Sequence, residues 1–415
     1  MRGYEEAMTN LGSLNGTYAT YCVPPLEAVA FGPGALEHIQ SILRSLDAQR
    51  VFVVTTRSVA RSRGMARLQE ILGVKLCGLF SETKPHVPES TVFAATREVQ
   101  RTAADVLISF GGGTAIDTAK DCNLLLASGA NQWSDLAPLV TPRQRKSSVS
   151  AFETVRLNGR ILPHIAIPTT LSGGEFTFSA SMKHEESRSK QLFIYYNLAP
   201  RFVILDPEVT LETPRDLWLS SGVKAIDHCV ETLYSADRQP VTEAMAEAGL
   251  AALVAHLPTS VGGPMDLEGR EHCQTGAWLA IFGIMNVRLG LSHAIGHQVG
   301  ARWGVPHGIT SCLTMPAVIE FNAEAAGNRM HRIARAMGLR ASSREDPRRV
   351  GARVARKLRR LISSLGLPTR LREVGADRRE FEAIAEHVLG DPLMASNPRR
   401  VEQPEEMLPL LEAMW

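Results

Sequence analysis

The stretch DVLISFGGGTAIDTAKDCNLLL, residues 105–126, limits the possible folds more than any other in the chain. Val106 to Phe110 is a short, continuous apolar run that reads as a buried strand, Gly111 to Gly113 form a tight turn, and Thr114 opens a helix. A strand that feeds directly into a helix is half of a βαβ unit, so the chain is committed to a sheet with helices on its faces. The same signal recurs on both sides. FGPGALEHIQSIL turns into an amphipathic helix, RVFVVTT (Arg50 to Thr56) is a strand, and a helix runs through Met65 and Leu68. VKLCGLF (Val74 to Phe80) is a strand and Thr91 to Thr102 a helix, while ILPHIAIPTT (Ile161 to Thr170) and RFVILDPEVT (Arg201 to Thr210) are strands again. The texture changes at Thr213-Pro214, where proline marks a helix start, and the pattern is helical from there to Trp415. We therefore expect an α/β domain over 1–211 and an all-helical domain over 212–415. The first twenty or so residues read as a loose arm, and 131–160 as a surface insertion or flap.

At 415 residues the chain is too long for one ordinary core, which agrees with two domains. A net charge of +2, from 45 basic and 43 acidic residues, gives no reason to expect nucleic acid or a membrane surface as partner. Arg143, Arg145 and Lys146 read as a solvated loop, and the arginines from Arg353 to Arg360 as the wet face of a helix. Six scattered cysteines without CxxC spacing suggest neither a zinc ribbon nor a disulfide scaffold, and free thiols fit a cytoplasmic protein. No run approaches eighteen apolar residues, and no signal peptide is evident.

Three consecutive glycines between strand and helix let a backbone approach a pyrophosphate, and the helix start offers it free N–H groups and a positive dipole end. GGGTAIDTAK matches neither GxGxxG nor the Walker pattern. Thr114, Asp117 and Lys120 are assigned to one helix face near the cofactor. IPTTLSGGEFT adds a second hydroxyl-rich loop after another strand, with Thr169, Thr170 and Ser172 as candidate contacts.

LSHAIGHQVGARWGVPHG, residues 291–308, supplies His293 and His297 four apart on one helix face, about 6 Å from each other. His307 lies between Pro306 and Gly308, which break the helix and turn the chain back toward that face. Upstream, GVKAIDHCVET offers Lys224 and His228, again four apart. Four histidines and a lysine from two helices are expected to share one pocket.

These segments, with ILDPEVTLETP and the closing DPLMASNPR, make the chain resemble the iron-dependent (group III) alcohol dehydrogenase family, of dehydroquinate synthase-like fold. The resemblance implies a Rossmann-like NAD(P)-binding domain, a helical catalytic domain, a cleft between them and a homodimer. It also implies a metal held by one aspartate and three histidines. His228, His293 and His307 fall on the histidine positions and His297 on an additional active-site histidine, but Lys224 stands where the aspartate belongs. An ammonium cannot ligate a divalent ion and adds positive charge of its own. Asp227 lies one position from His228, about 100° round the helix, and is not expected to compensate.

No catalytic iron or zinc is therefore expected. The branch most resembled is maleylacetate reductase, although the glycine motif keeps the alcohol dehydrogenase form. The expected function is a metal-independent NAD(P)H-dependent reduction of an enone or ketone. Lys224, His228, His293 and His307 would stabilise the oxyanion, and His297 or His293 would deliver the proton. The alternatives are a metal-dependent alcohol or aldehyde dehydrogenase and a non-redox lyase or isomerase. By the same comparison, Thr56 with Arg57 beside it, in place of a ribose-binding acid, favours NADPH over NADH. A small-molecule substrate bearing a carboxylate would find Lys183, Arg188 or Lys190.

Overall fold

A computed structural model describes residues 20–140, 155–187, 189–263 and 266–415. The expected N-terminal arm, the TPRQRKSSVS part of the flap with its basic residues, and Arg188 lie outside these. The first half contains strands β1 (Ala28–Phe31), β2 (Val51–Thr55), β3 (Leu76–Phe80), β4 (Val106–Gly111), β5 (His164–Pro168), β6 (Ser179–Lys183), β7 (Lys190–Ile194) and β8 (Phe202–Leu205). Helices α1 (Ile39–Ser45), α2 (Arg63–Leu72), α3 (Glu89–Arg101) and α4 (Gly113–Ser128) follow β1 to β4 in turn.

Six strands form one parallel sheet in the order β1-β8-β5-β4-β2-β3. Every residue of β2, β4 and β5 is buried, as expected for strands covered by helices on both faces. Because β4 and β5 are neighbours with Gly111 opposite Pro168, the glycine turn and the Thr169–Thr170 loop leave the sheet side by side.

β6 and β7 form a separate antiparallel hairpin with Ser179 opposite Ile194 and Lys183 opposite Lys190. The sequence reading treats this region as a polar stretch. Its alternation, with Ala180, Met182 and Phe193 turned in, is masked by serines and lysines on the other face.

From Arg215 onward the described residues are helical, with α5 (Arg215–Tyr234), α6 (Pro240–His256), α7 (Leu267–Phe282), α8 (Leu291–Trp303), α9 (His307–Ala326), α10 (Asn328–Ala336), α11 (Pro347–Ser364), α12 (Phe381–Leu389) and α13 (Leu408–Met414). Helix α5 is buried on nearly every side, with Trp218, Ile226, Val230 and Leu233 in the largest core cluster, and so runs through the middle of this half. Its Ser221 hydroxyl receives the Leu171 N–H at 3.0 Å, which ties the second loop to the catalytic helix. Among the described residues no single helix is long and apolar enough to cross a membrane.

Candidate active site

The two loops meet as a cradle for a cofactor. Gly111 has φ +150°, and a Cβ on Gly112 would come within 3.0 Å of the Thr170 side chain. Only glycine lets the loops approach this closely while leaving the start of α4 without a side-chain cap, open to a phosphate. Gly112, Gly113, Thr114 and Asp117 are half-buried on the open side. Thr170 donates to the Ser172 hydroxyl at 3.2 Å, and the Thr169 N–H donates to the Gly111 carbonyl at 3.0 Å. These residues fit a dinucleotide.

Lys120 does not lie on that face. It stands roughly 120° round the helix from Thr114, is fully buried, and donates to the Gly174 carbonyl, the Thr177 hydroxyl and the Ser179 carbonyl at 2.6, 2.9 and 2.9 Å. It braces the second loop and has no N–H left for a cofactor. The argument for NADPH also changes. Thr56 pairs with Glu82 in an isolated bridge, and Glu82 accepts from the Arg57 guanidinium at 2.6 Å. An acid absent from the end of β2 is thus supplied by the segment after β3. It neutralises Arg57 and would repel a 2′-phosphate.

The histidine and lysine cluster is assembled by α5, α8 and α9. His228 and His293 are buried and stacked, with ring centroids 5.0 Å apart and planes 22° apart. His307 does more than sit in a turn: it begins α9, with Pro306 fixing the helix start. His297 is exposed at the mouth, its Nδ1 3.2 Å from the Asp391 carboxylate. That base-and-orienter pair was not read from the sequence, where Asp391 was quoted only as part of a motif.

Beneath the cluster lies an acidic network. Glu231 accepts from the Gly290 and Ser292 N–H groups and from His293 Nδ1, each at 2.7 Å. Asp227 accepts from the Ser292 and Ser311 hydroxyls at 2.8 and 2.7 Å and lies 3.6 Å from His293 Nδ1. Asp227 lies about 100° round α5 from His228, which turns it toward the start of α8, and so it joins the site contrary to the sequence expectation. With Glu231 ionised and accepting a backbone N–H on each oxygen, His293 Nδ1 is the donor, and its Nε2, buried and without a partner among the described residues, keeps its lone pair. His293 is therefore not an oxyanion donor, and this corrects the sequence reading.

Lys224 is half-buried and, among the described residues, forms no hydrogen bond or ion pair within 4 Å. Burial draws its ammonium down while Asp227 and Glu231 hold it up. Burial raises the Glu231 carboxyl, and burial beside Glu231 pushes Asp227 up to about 7. Burial, with Lys224 as a like charge, holds His228 and His293 well below the ordinary range and His307 down at about 3. The cluster thus sets a lysine, drawn down by burial and held up by two acids, among imidazoles whose protonated form is disfavoured.

These donors do not fit a divalent ion. Among the described residues, only Asp227, Glu231 and His293 bring candidate ligand atoms within 4.8 Å of one another. A cation there would have to displace the donors those carboxylates already hold. His228, His293 and His307 do not close into a three-nitrogen cage, and the ammonium of Lys224 is their neighbour.

Residues 27–207 match the family model for iron-containing alcohol dehydrogenase, and 218–415 that for the C-terminal part of the Fe-containing alcohol dehydrogenase family. A maleylacetate reductase from Burkholderia cepacia is 30% identical over 375 residues, covering 90% of this chain and 92% of its own. Dehydrogenase FUM7 from Gibberella moniliformis is 29% identical over 398 residues, covering 87% and 89%. The crystal structure of maleylacetate reductase from Agrobacterium tumefaciens superposes with a TM-score of 0.78 at 26% identity, covering 96% of this chain and 98% of that one. The chain belongs to the iron-containing alcohol dehydrogenase family of oxidoreductases.

Proposed function

We propose that the protein reduces an enone or ketone of the maleylacetate type with NADH and without a catalytic metal, Lys224 carrying the charge that a metal would otherwise carry. The observation that carries this reading is the unpaired ammonium of Lys224 beside the buried carboxylates of Asp227 and Glu231. Those two acids oppose the burial that draws its proton away. A reduced nicotinamide bound across the glycine and threonine loops supplies the hydride. For an enone, the hydride goes to the carbon β to the ketone and negative charge moves to the carbonyl oxygen. Lys224 stabilises that oxygen by a preorganised charge-assisted hydrogen bond. His228 and His293 exclude water from it. His297, oriented by Asp391, delivers the proton that converts enolate to ketone. His293 is the poorer donor because burial and Lys224 suppress its protonated form. NADH is favoured because Glu82 opposes a 2′-phosphate.

A second reading, a metal-dependent alcohol dehydrogenase, draws on Glu231 fixing His293 Nδ1, the way histidine ligands of metals are oriented. The deciding experiment follows NADH and NADPH absorbance with maleylacetate, using protein purified with iron or zinc and then treated with chelator. We expect far less than one metal per chain, unchanged turnover after chelation, and a preference for NADH. Stoichiometric metal held by the histidines overturns the reading, and absence of nicotinamide oxidation favours a lyase.

A further inference from the structure

The loop between β3 and α3 contains two consecutive non-glycine residues in left-handed backbone, His86 at φ +65° and Val87 at φ +50°. Left-handed backbone is unfavourable for both, and the β-branched valine is the less tolerant of the two. Packing holds the loop in place. Val87 is 3% exposed in a core cluster with Val92, Leu124 and Phe193, its carbonyl accepts the Lys183 N–H at 2.9 Å, and Pro88 bridges to Lys183. The exposed His86 ring contributes nothing to that packing. Instead it faces His307 across the cleft, centroids 6.5 Å apart and planes at 69°. Strained backbone overdetermined by its surroundings is a device for aiming a side chain.

The neighbours are mostly cationic. Lys183 and Lys190 stand directly opposite each other in the β6–β7 hairpin, a like-charge pair that destabilises a sheet unless an anion relieves it. Glu185 lies beside Lys183, and Asp117 and Asp121 act with Lys190. Lys183 and Lys190 lie close enough to His86 for their charges to act on it, and Lys190 and Lys224 act on His307 in the same way.

We propose that His86 and His307 together bind a carboxylate of the substrate, one from each side of the cleft, with Lys183 and Lys190 supplying the surrounding positive field. An imidazole donates an N–H whether neutral or protonated, so the two rings can each donate to one carboxylate, and the site selects carbonyl compounds that carry a carboxylate over neutral ones. This inference rests on the reductase reading only for the position of the cleft.

The test measures binding by calorimetry to the full chain saturated with NAD+, using maleate as probe, its neutral diamide as control, and NAD+ affinity as a third arm. His86→Ala should weaken maleate about tenfold, the loss of one hydrogen bond to a charged group. Diamide and NAD+ should stay within twofold of the unaltered protein. His86→Asn, which tolerates left-handed backbone and keeps an N–H donor, should recover most of the loss. Equal losses for maleate and diamide would mean that the residue only shapes the loop, and would overturn the proposal. So would weakened NAD+ with maleate unchanged, which assigns the anion site to the cofactor phosphates, or no maleate binding at all. Failure to oxidise NADH with maleylacetate would sink the reductase reading and leave the binding result standing.

Discussion

Two buried regions are built on the same plan and serve different ends. In each, a lysine on a helix is surrounded by carboxylates: Lys120 by Asp117, Asp121 and Glu175, and Lys224 by Asp227 and Glu231. Lys120 Nζ spends all three protons on the Gly174, Thr177 and Ser179 oxygens and is sealed from solvent. Lys224 spends none on a described residue, and its acids have turned to other donors, Glu231 to backbone N–H groups and Asp227 to serine hydroxyls. Burial and nearby charge are thus common to both. What separates scaffold from reagent is whether the ammonium protons are already committed.

The sharpest way to break this comparison is to replace each ammonium by methionine, which keeps most of the apolar stem. Lys224→Met should lower kcat by about 10²- to 10³-fold, the cost of removing one preorganised oxyanion donor. Its KM for NADH should change little, and its melting temperature should fall less than in Lys120→Met, because Asp227 and Glu231 lose a nearby charge but keep their hydrogen-bond donors. Steady-state kinetics at saturating NADH check this, and retention of full kcat would demote Lys224 to a filler. Lys120→Met should act the opposite way. It strands two backbone carbonyls and leaves the acids uncompensated, so stability should fall by about 4 kcal/mol. Denaturant unfolding measures the loss, and kcat per folded molecule should change far less than in Lys224→Met.

How far the sequence reveals this difference depends on what each residue's neighbours in the chain can report. The strand–turn–helix at 106–128, the second loop and the change to helices after Pro214 are all local patterns, and each forms within a few residues of its expected place. The hairpin at 179–194 was missed because serine and lysine dilute its alternation. Lys224, His228 and His293 were legible from spacing and resemblance, since i and i+4 residues share a face. The commitments of the lysines were not. Lys120 is satisfied by residues 54 to 59 positions away, and Glu231 by residues 59 to 62 positions away. Glu82 reaches Arg57 only because β2 and β3 pair in parallel. His86 gives no local signal either, since left-handed backbone at a non-glycine residue leaves no mark in composition. Partners are tertiary facts, and they decide which of two similar lysines is chemically free.

The smallest effect expected sharpens the comparison from the acid side. Glu175 belongs to the Lys120 group; burial pushes its carboxyl from 4.5 up to about 7, and one of its oxygens is buried without a partner. Because the folded state holds this proton more tightly than the unfolded chain, the contribution to stability is fully present below pH 4.5. It is lost as pH rises through about 7 and then stays constant. The loss is at most about 3 kcal/mol. Glu175→Gln has no proton to lose, so its melting temperature relative to the unaltered protein should climb between pH 4.5 and 7 and level off above. Melting curves that run parallel across that window would show that Lys120 already holds Glu175 ionised. The cluster would then be a true ion pair, and the line drawn here between a hydrogen-bonded brace and a charge-balanced reagent would have to be redrawn.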